Sequence, residues 1–204
     1  MNPTRHRVLL ALLAVAALAP AGEAAAEERS DNSAPYAVIA RLNFRLTYPR
    51  FLRFRVGTPG ATINLMNFAV PGTAVGSGTP VLPSGGDAGG GAALNIDVAG
   101  NNGQVTITAT NSSAGQGIGT GTAADGWINY NQIATVSSSG QLPAPVLTNA
   151  GGTTALPTLN STLVTQRSAV WTYSYLNQTI PTAGTYGGTN AARGGQVTYT
   201  ATMP

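Results

Sequence analysis

The feature that most constrains this chain is a stretch of alternating apolar and polar residues between Arg41 and Val56. The apolar residues of one parity are Leu42, Phe44, Leu46, Tyr48, Leu52, Phe54 and Val56. The other parity carries mainly arginine, asparagine and threonine. Because a period of two places the two sets on opposite faces of an extended backbone, the pattern predicts a half-buried β-strand.

A proline divides this stretch. Pro49 keeps the parity, but Arg50 falls on the apolar side of the alternation. An unbroken strand from 41 to 56 would measure roughly 50 Å, whereas strands usually span about 17–20 Å. We therefore predict two strands hinged near Pro49 and Arg50, an arrangement that suits an edge strand or a bend between sheets.

The first 26 residues have the pattern of a secretory signal peptide. Residues 5–7 are basic, residues 8–19 form an apolar run, and residues 24–26 are three alanines suited to cleavage. The run is much shorter than the ~20 residues that a spanning helix needs, so we predict no membrane span. We expect a helical signal peptide over residues 1–26, Sec-type export, and a location at the cell surface, in the periplasm or outside the cell.

The remaining chain is predicted to be all-β. Only 8% of the residues are charged, mean hydropathy is +0.07, and glycine is abundant with 26 residues. Runs rich in Val, Ile and Thr alternate with Gly, Asn and Pro, which favours many short strands. We predict a polar linker over 27–35 and a single antiparallel β-sandwich domain over 36–204, with long glycine-rich loops at 71–91 and 111–126.

Local patterns predict individual strands within this domain. The clearest is a hairpin that pairs residues 94–98 with residues 105–110 across Gly100 to Gly103, whose Asn-Gly step suits a tight turn. Further strands are predicted over 61–70, 127–136, 169–175 and 197–203. Aromatic residues that alternate within these strands are expected to pack mainly in the core.

Few side chains could support catalysis. The chain has no cysteine and one histidine, and that histidine, His6, lies within the signal peptide. Lysine is also absent, and the acids beyond the N-terminal tail are Asp87, Asp97 and Asp125. Because residues 27–204 contain no histidine, cysteine or lysine, histidine triads, thiolate clusters and Schiff-base chemistry are excluded there. We predict no enzyme activity, no cofactor and no metal site. Calcium binding by these acids is a less favoured alternative, because their spacing does not form a cluster of ligands.

The layout also resembles known exported proteins. A signal peptide, an arginine-rich N-terminal ribbon, a WTYSY strand and a terminal GGQVTYTATMP segment follow one another. This layout resembles uncharacterised exported β-sandwich proteins of Gram-negative bacteria and is broadly similar to pilin-type subunits of surface fibres. It departs from many such subunits in lacking a cysteine pair and an amphipathic N-terminal helix. The resemblance implies an immunoglobulin-like, Greek-key sandwich that a strand from a neighbouring subunit completes.

The first functional hypothesis is a structural subunit that self-assembles by strand addition. An extended segment can donate backbone hydrogen bonds to an open sheet edge while alternate side chains fill a groove. The candidate strand-pairing residues are Leu42, Phe44, Leu46 and Tyr48. The alternative is an ordinary first strand or two of a monomeric sandwich.

The second hypothesis is a binding module for glycans or polyanions. Its candidate residues are Arg41, Arg45, Arg53 and Arg55, since planar guanidinium groups suit phosphate, sulfate or carboxylate. Without residues 1–26, the ten arginines become eight and the seven acids become six. That small net charge does not indicate specific nucleic-acid binding. The alternative is an arginine face that is simply solvated.

Overall fold

A computed structural model describes residues 28–60, 62–113 and 115–204. The predicted signal peptide over 1–26 lies outside the described residues. The chain divides into two units, one that ends at Tyr48 and one that runs from Pro49 to Pro204. The described part of the first unit, residues 28–48, contains no strand or helix.

The second unit consists of strands that pair antiparallel throughout, which confirms the all-β prediction. The strands are β1 (Leu52–Val56), β2 (Ala93–Gly100), β3 (Thr106–Asn111), β4 (Ile118–Gly119), β5 (Trp127–Ile128), β6 (Ile133–Ser137), β7 (Leu147–Thr148), β8 (Gly151–Gly152), β9 (Thr165–Tyr175) and β10 (Val197–Thr202). Short 3-10 helices occur at Gly72–Ala74, Gly89–Gly91, Ala123–Asp125, Tyr130–Gln132 and Ala191–Arg193. No α-helix occurs among the described residues.

The main sheet has the strand order β1-β2-β9-β6. Its centre is the long pairing of β2 with β9, in which Ile96 lies opposite Ala169 and Leu94 opposite Trp171. Strand β10 pairs with β3 in a separate two-stranded sheet, and β4–β5 and β7–β8 form two further small pairs. Within the described part of the chain, β1 and β10 are each paired along one edge only.

One apolar core joins the main sheet to the β3–β10 pair. Its buried side chains come from β2, β9, β3 and the connections between them. These residues are Leu94, Ile96, Val98, Val105, Ile107, Leu142, Ala155, Ala169, Trp171 and Tyr173. The alternation of β2 and β9 therefore buries one side-chain face of the sheet, as the period of two requires.

The predicted hairpin is wrong in its pairing although both of its strands form. Strand β2 pairs with β1 and β9, whereas β3 pairs with β10. The turn around Gly103 therefore carries the chain from one sheet to another. Leu94, Ile96 and Val98 of β2 and Ile107 of β3 are all buried in the same core.

Other predicted strands are shorter than expected or absent. Of the two strands predicted across Pro49, only the second forms, as β1. Residues 62–70 hold a single bridge, from Asn67 to Ser84, and no strand. The strand predicted over 127–136 is interrupted by a 3-10 turn that buries the Tyr130 side chain. The strands predicted at 169–175 and 197–203 are confirmed by β9 and β10.

A buried asparagine holds the glycine-rich loop over 71–91. Asn177 is 1% exposed and has φ of 53°. Its side-chain amide donates to the Ala74 carbonyl at 2.6 Å and accepts from the Gly76 N–H at 2.9 Å. Val81 also exchanges backbone hydrogen bonds with Tyr175 at the end of β9. The loop is thereby attached to the main sheet at defined points.

None of the helices in the described ranges has the length and apolarity that crossing a bilayer requires.

Candidate assembly surface

The segment from Tyr36 to Tyr48 presents apolar side chains to solvent. Phe44 is 81% exposed and Leu42 is 76% exposed. The even positions share an apolar character, and they are Tyr36, Val38, Ala40, Leu42, Phe44, Leu46 and Tyr48. All of them are exposed. We name this stretch the exposed segment, and its alternation has no strand partner among the described residues.

The four candidate arginines are distributed between the two units. Arg41 and Arg45 lie on the odd, polar parity of the exposed segment, whereas Arg53 and Arg55 lie in β1. Arg55 forms an ion pair with Asp97, its direct cross-strand neighbour on β2. The Asp97 carboxylate also accepts a hydrogen bond from the Ser168 hydroxyl at 2.6 Å. Arg55 therefore has an internal partner for its charge.

A cleft of about 620 Å³ opens in the second unit; its lining is mainly apolar but includes the polar residues Asn64, Thr189 and Gln196. Phe54 and Val56 of β1 line it from the main sheet, and Val197 and Tyr199 of β10 line it from the smaller sheet. Further apolar lining comes from Ile63, Leu65, Met66, Phe68, Leu94, Ile118, Tyr130, Ile133, Leu147 and Tyr173. Ile63 and Leu65 remain 74% and 51% exposed, so the cleft contains apolar surface that the second unit does not cover.

Tyrosine hydroxyls give one wall of the cleft its polar contacts. The hydroxyls of Tyr173 and Tyr199 are 3.1 Å apart and hydrogen-bonded, and the Tyr199 ring packs on Trp171 with 5.4 Å between centroids. The Tyr130 hydroxyl donates to the Gly194 carbonyl. Burial raises the pKa of Tyr130 to about 12 and raises the pKa of Tyr173 and Tyr199 as well. A tyrosine hydroxyl is already neutral near pH 7 at its ordinary pKa of about 10, and the raised pKa values keep these hydroxyls neutral to still higher pH.

The three acids of the second unit each take part in a local hydrogen bond. Asp87 accepts from the Asn95 backbone N–H at 2.7 Å, and Asp125 accepts from the Thr120 hydroxyl at 2.7 Å. Asp97 pairs with Arg55 as described. The described ranges contain no cluster of three or more acidic, histidine or cysteine side chains suited to a metal ion.

Sequence patterns pointed to the exposed segment but not to the cleft. The cleft is assembled from β1, β10 and several connections that lie far apart in the chain, so no local pattern reveals it. The role of Asn177 was missed for the same reason, since an isolated asparagine in a polar stretch carries no distinguishing signal.

Comparison with known proteins gives no family for this chain, because no family model, curated protein or solved structure matches it.

Proposed function

We propose that this protein is a non-catalytic, exported structural protein that serves as a cell-surface or fibre subunit and assembles by β-strand pairing. The observation that carries this proposal is the exposed segment. Seven even-numbered positions in succession are apolar and open to solvent. Scattered apolar side chains are common on protein surfaces, but a regular apolar face of this length is typical of a surface that a partner covers.

The chemistry of strand addition fits this segment. An extended backbone with unpaired N–H and C=O groups can extend a sheet edge of another molecule, and the alternate side chains then bury their apolar area. Burial gains roughly 25 cal/mol for each Å² of apolar surface, so several Leu, Phe and Tyr side chains supply a substantial driving force.

The proposed architecture is an immunoglobulin-like, Greek-key antiparallel β-sandwich formed by the main sheet and the β3–β10 pair. Support comes from the shared core, in which Ile96 of β2 and Ile107 of β3 are both buried. A sandwich that leaves β1 and β10 without partners on one edge would offer natural sites for an added strand.

The test compares two faces of the same segment. In one variant Leu42, Phe44 and Leu46 become serine, and in the matched control Asn43, Arg45 and Thr47 become serine. We expect the unaltered chain and the control to form oligomers or fibres in size-exclusion chromatography and negative-stain microscopy, and the first variant to remain monomeric. A monomer for the unaltered chain at all concentrations would contradict the proposal.

A further inference from the structure

In the described part of the chain, β1, β6 and β10 each line the cleft and are each paired along one edge only. Strand β6 contributes only Ile133 to the lining, whereas β1 and β10 contribute two side chains each, so we consider the edge of β1 that faces away from β2 and the edge of β10 that faces away from β3. Both strands also contribute side chains to the cleft lining. An added strand at either edge would therefore place one row of its side chains in the cleft.

The cleft and the exposed segment have complementary chemistry. A cavity of about 150 Å³ holds one benzene molecule, so a cleft of about 620 Å³ has room for roughly four side chains of that size. Four successive apolar positions of the segment are Leu42, Phe44, Leu46 and Tyr48. Their insertion would cover the exposed apolar surface of Ile63 and Leu65.

Charge distinguishes between the two edges. When even positions point into the cleft, Arg41 and Arg45 point outward beside the outward residues of the accepting strand. On β1 those residues are Arg53 and Arg55; Arg55 already pairs with Asp97, but Arg53 is exposed, and like charges placed side by side across strands are destabilising. On β10 the outward residues are Thr198, Thr200 and Thr202, which are exposed and uncharged. The edge of β10 is thus the more favourable acceptor.

We propose that the exposed segment of a second copy of this chain pairs with the open edge of β10 and inserts its apolar side chains into the cleft. This inference rests on the proposed function and specifies its acceptor. The arginines of the inserted strand then lie on the outer surface beside threonines, where water solvates them. Each copy provides one segment and one cleft, so the contact is head-to-tail and can continue from subunit to subunit.

Disulfide trapping tests the acceptor edge, because the chain contains no cysteine of its own. A tagged chain with Asn43→Cys is mixed with an untagged chain that carries Thr198→Cys, Thr200→Cys or Thr202→Cys. The control partner carries Arg53→Cys on β1. All five positions are exposed, so we expect the substitutions to preserve the fold.

We expect at least one β10 position to yield about tenfold more mixed dimer than the β1 position, since cysteines with Cα atoms beyond ~7 Å cannot be bridged. Preferential trapping at Arg53→Cys, or assembly without trapping at any β10 position, would overturn the β10 assignment and leave the proposed function standing. Absence of any assembly in sedimentation experiments would overturn both.

A second pair of variants tests the cleft. Ile63→Arg places a charge on the exposed lining, and Leu82→Arg is the matched control because Leu82 is 62% exposed and does not line the cleft. We expect Ile63→Arg to reduce trapping at β10 by about tenfold, as an unpaired charge opposes apolar burial. Equal trapping by the two variants would overturn the role of the cleft.

Discussion

Residues 42–48 and residues 52–56 carry the same alternation of apolar and polar side chains, yet only the second stretch forms a strand. In β1, Phe54 and Val56 pack against the core, and the backbone pairs with β2. In the exposed segment, Phe44 and its even-numbered neighbours face solvent. The alternation specifies which faces are apolar, whereas strand formation requires a paired edge to satisfy the backbone.

The arginines of the two stretches differ in the same way. Arg55 of β1 meets the Asp97 carboxylate of the adjacent strand. Arg41 and Arg45 lie in a segment with no adjacent strand among the described residues. Strand β1 is therefore paired with β2 within the second unit, whereas the exposed segment has no strand partner among the described residues.

The largest expected difference concerns core truncation. Trp171→Ala should lower the free energy of unfolding by about 3–5 kcal/mol, because Trp171 is fully buried and a cavity would remain. Phe44→Ala should change it by about 0.5 kcal/mol or less in dilute protein, since Phe44 is exposed. Chemical denaturation of both variants measures the difference. A similar decrease in the free energy of unfolding for both variants would contradict the view that Trp171 is packed and Phe44 is not.

A pH dependence should arise from the packed unit. Burial raises the pKa of Tyr130 to about 12 from 10.0, so between these pH values the folded state binds more protons than the unfolded state. The free energy of unfolding should then fall as pH rises through this window, by up to ~1.4 kcal/mol per pH unit for this group.

Tyr130→Phe serves as the control for that dependence, because it removes the titrating hydroxyl. Urea denaturation at pH 10, 11 and 12 (about the range set by these pKa values) should show a shallower decline for the variant. An identical decline in both proteins would show that Tyr130 does not contribute.

The smallest effect should come from the ion pair on β1. Asp97→Asn should lower the free energy of unfolding by about 0–1 kcal/mol, because both partners are partly exposed and water screens the attraction. The exposed fractions are 38% for the Arg55 side chain and 27% for the Asp97 side chain. A double-mutant cycle with Arg55→Gln, at low and high salt, measures the coupling. A coupling above about 2 kcal/mol would contradict this view of a screened pair.

Local alternation predicted the strands that later proved longest. The alternation of Trp171, Tyr173 and Tyr175 predicted β9, and the alternation around Tyr199 predicted β10. Each alternation indicates which side chains of the strand face the core. The partner of each strand was not predictable in the same way. Gly103 suits a turn, but a turn within one sheet and a turn between sheets share that signal.

In the candidate site, too, some features were predictable from local sequence and others were not. The parity of Phe44 and Arg45 could be read from the sequence, and both residues are exposed in the structure. The ion pair of Arg55 with Asp97 joins residues 42 positions apart. The cleft beside Tyr199 depends on the pairing of Tyr199 with Ala109 on a distant strand. Such long-range placement follows from tertiary packing and has no local pattern.

Amide hydrogen exchange of residues 36–48, followed at increasing protein concentration, tests most directly whether this segment becomes a strand only in a neighbouring molecule. Residues 52–56 provide the internal reference, since β1 pairs with β2 within the second unit. We predict rapid exchange of 36–48 in dilute monomer and strong protection in the assembled state, with 52–56 protected in both. Protection of 36–48 in the dilute monomer, or rapid exchange after assembly, would contradict the account.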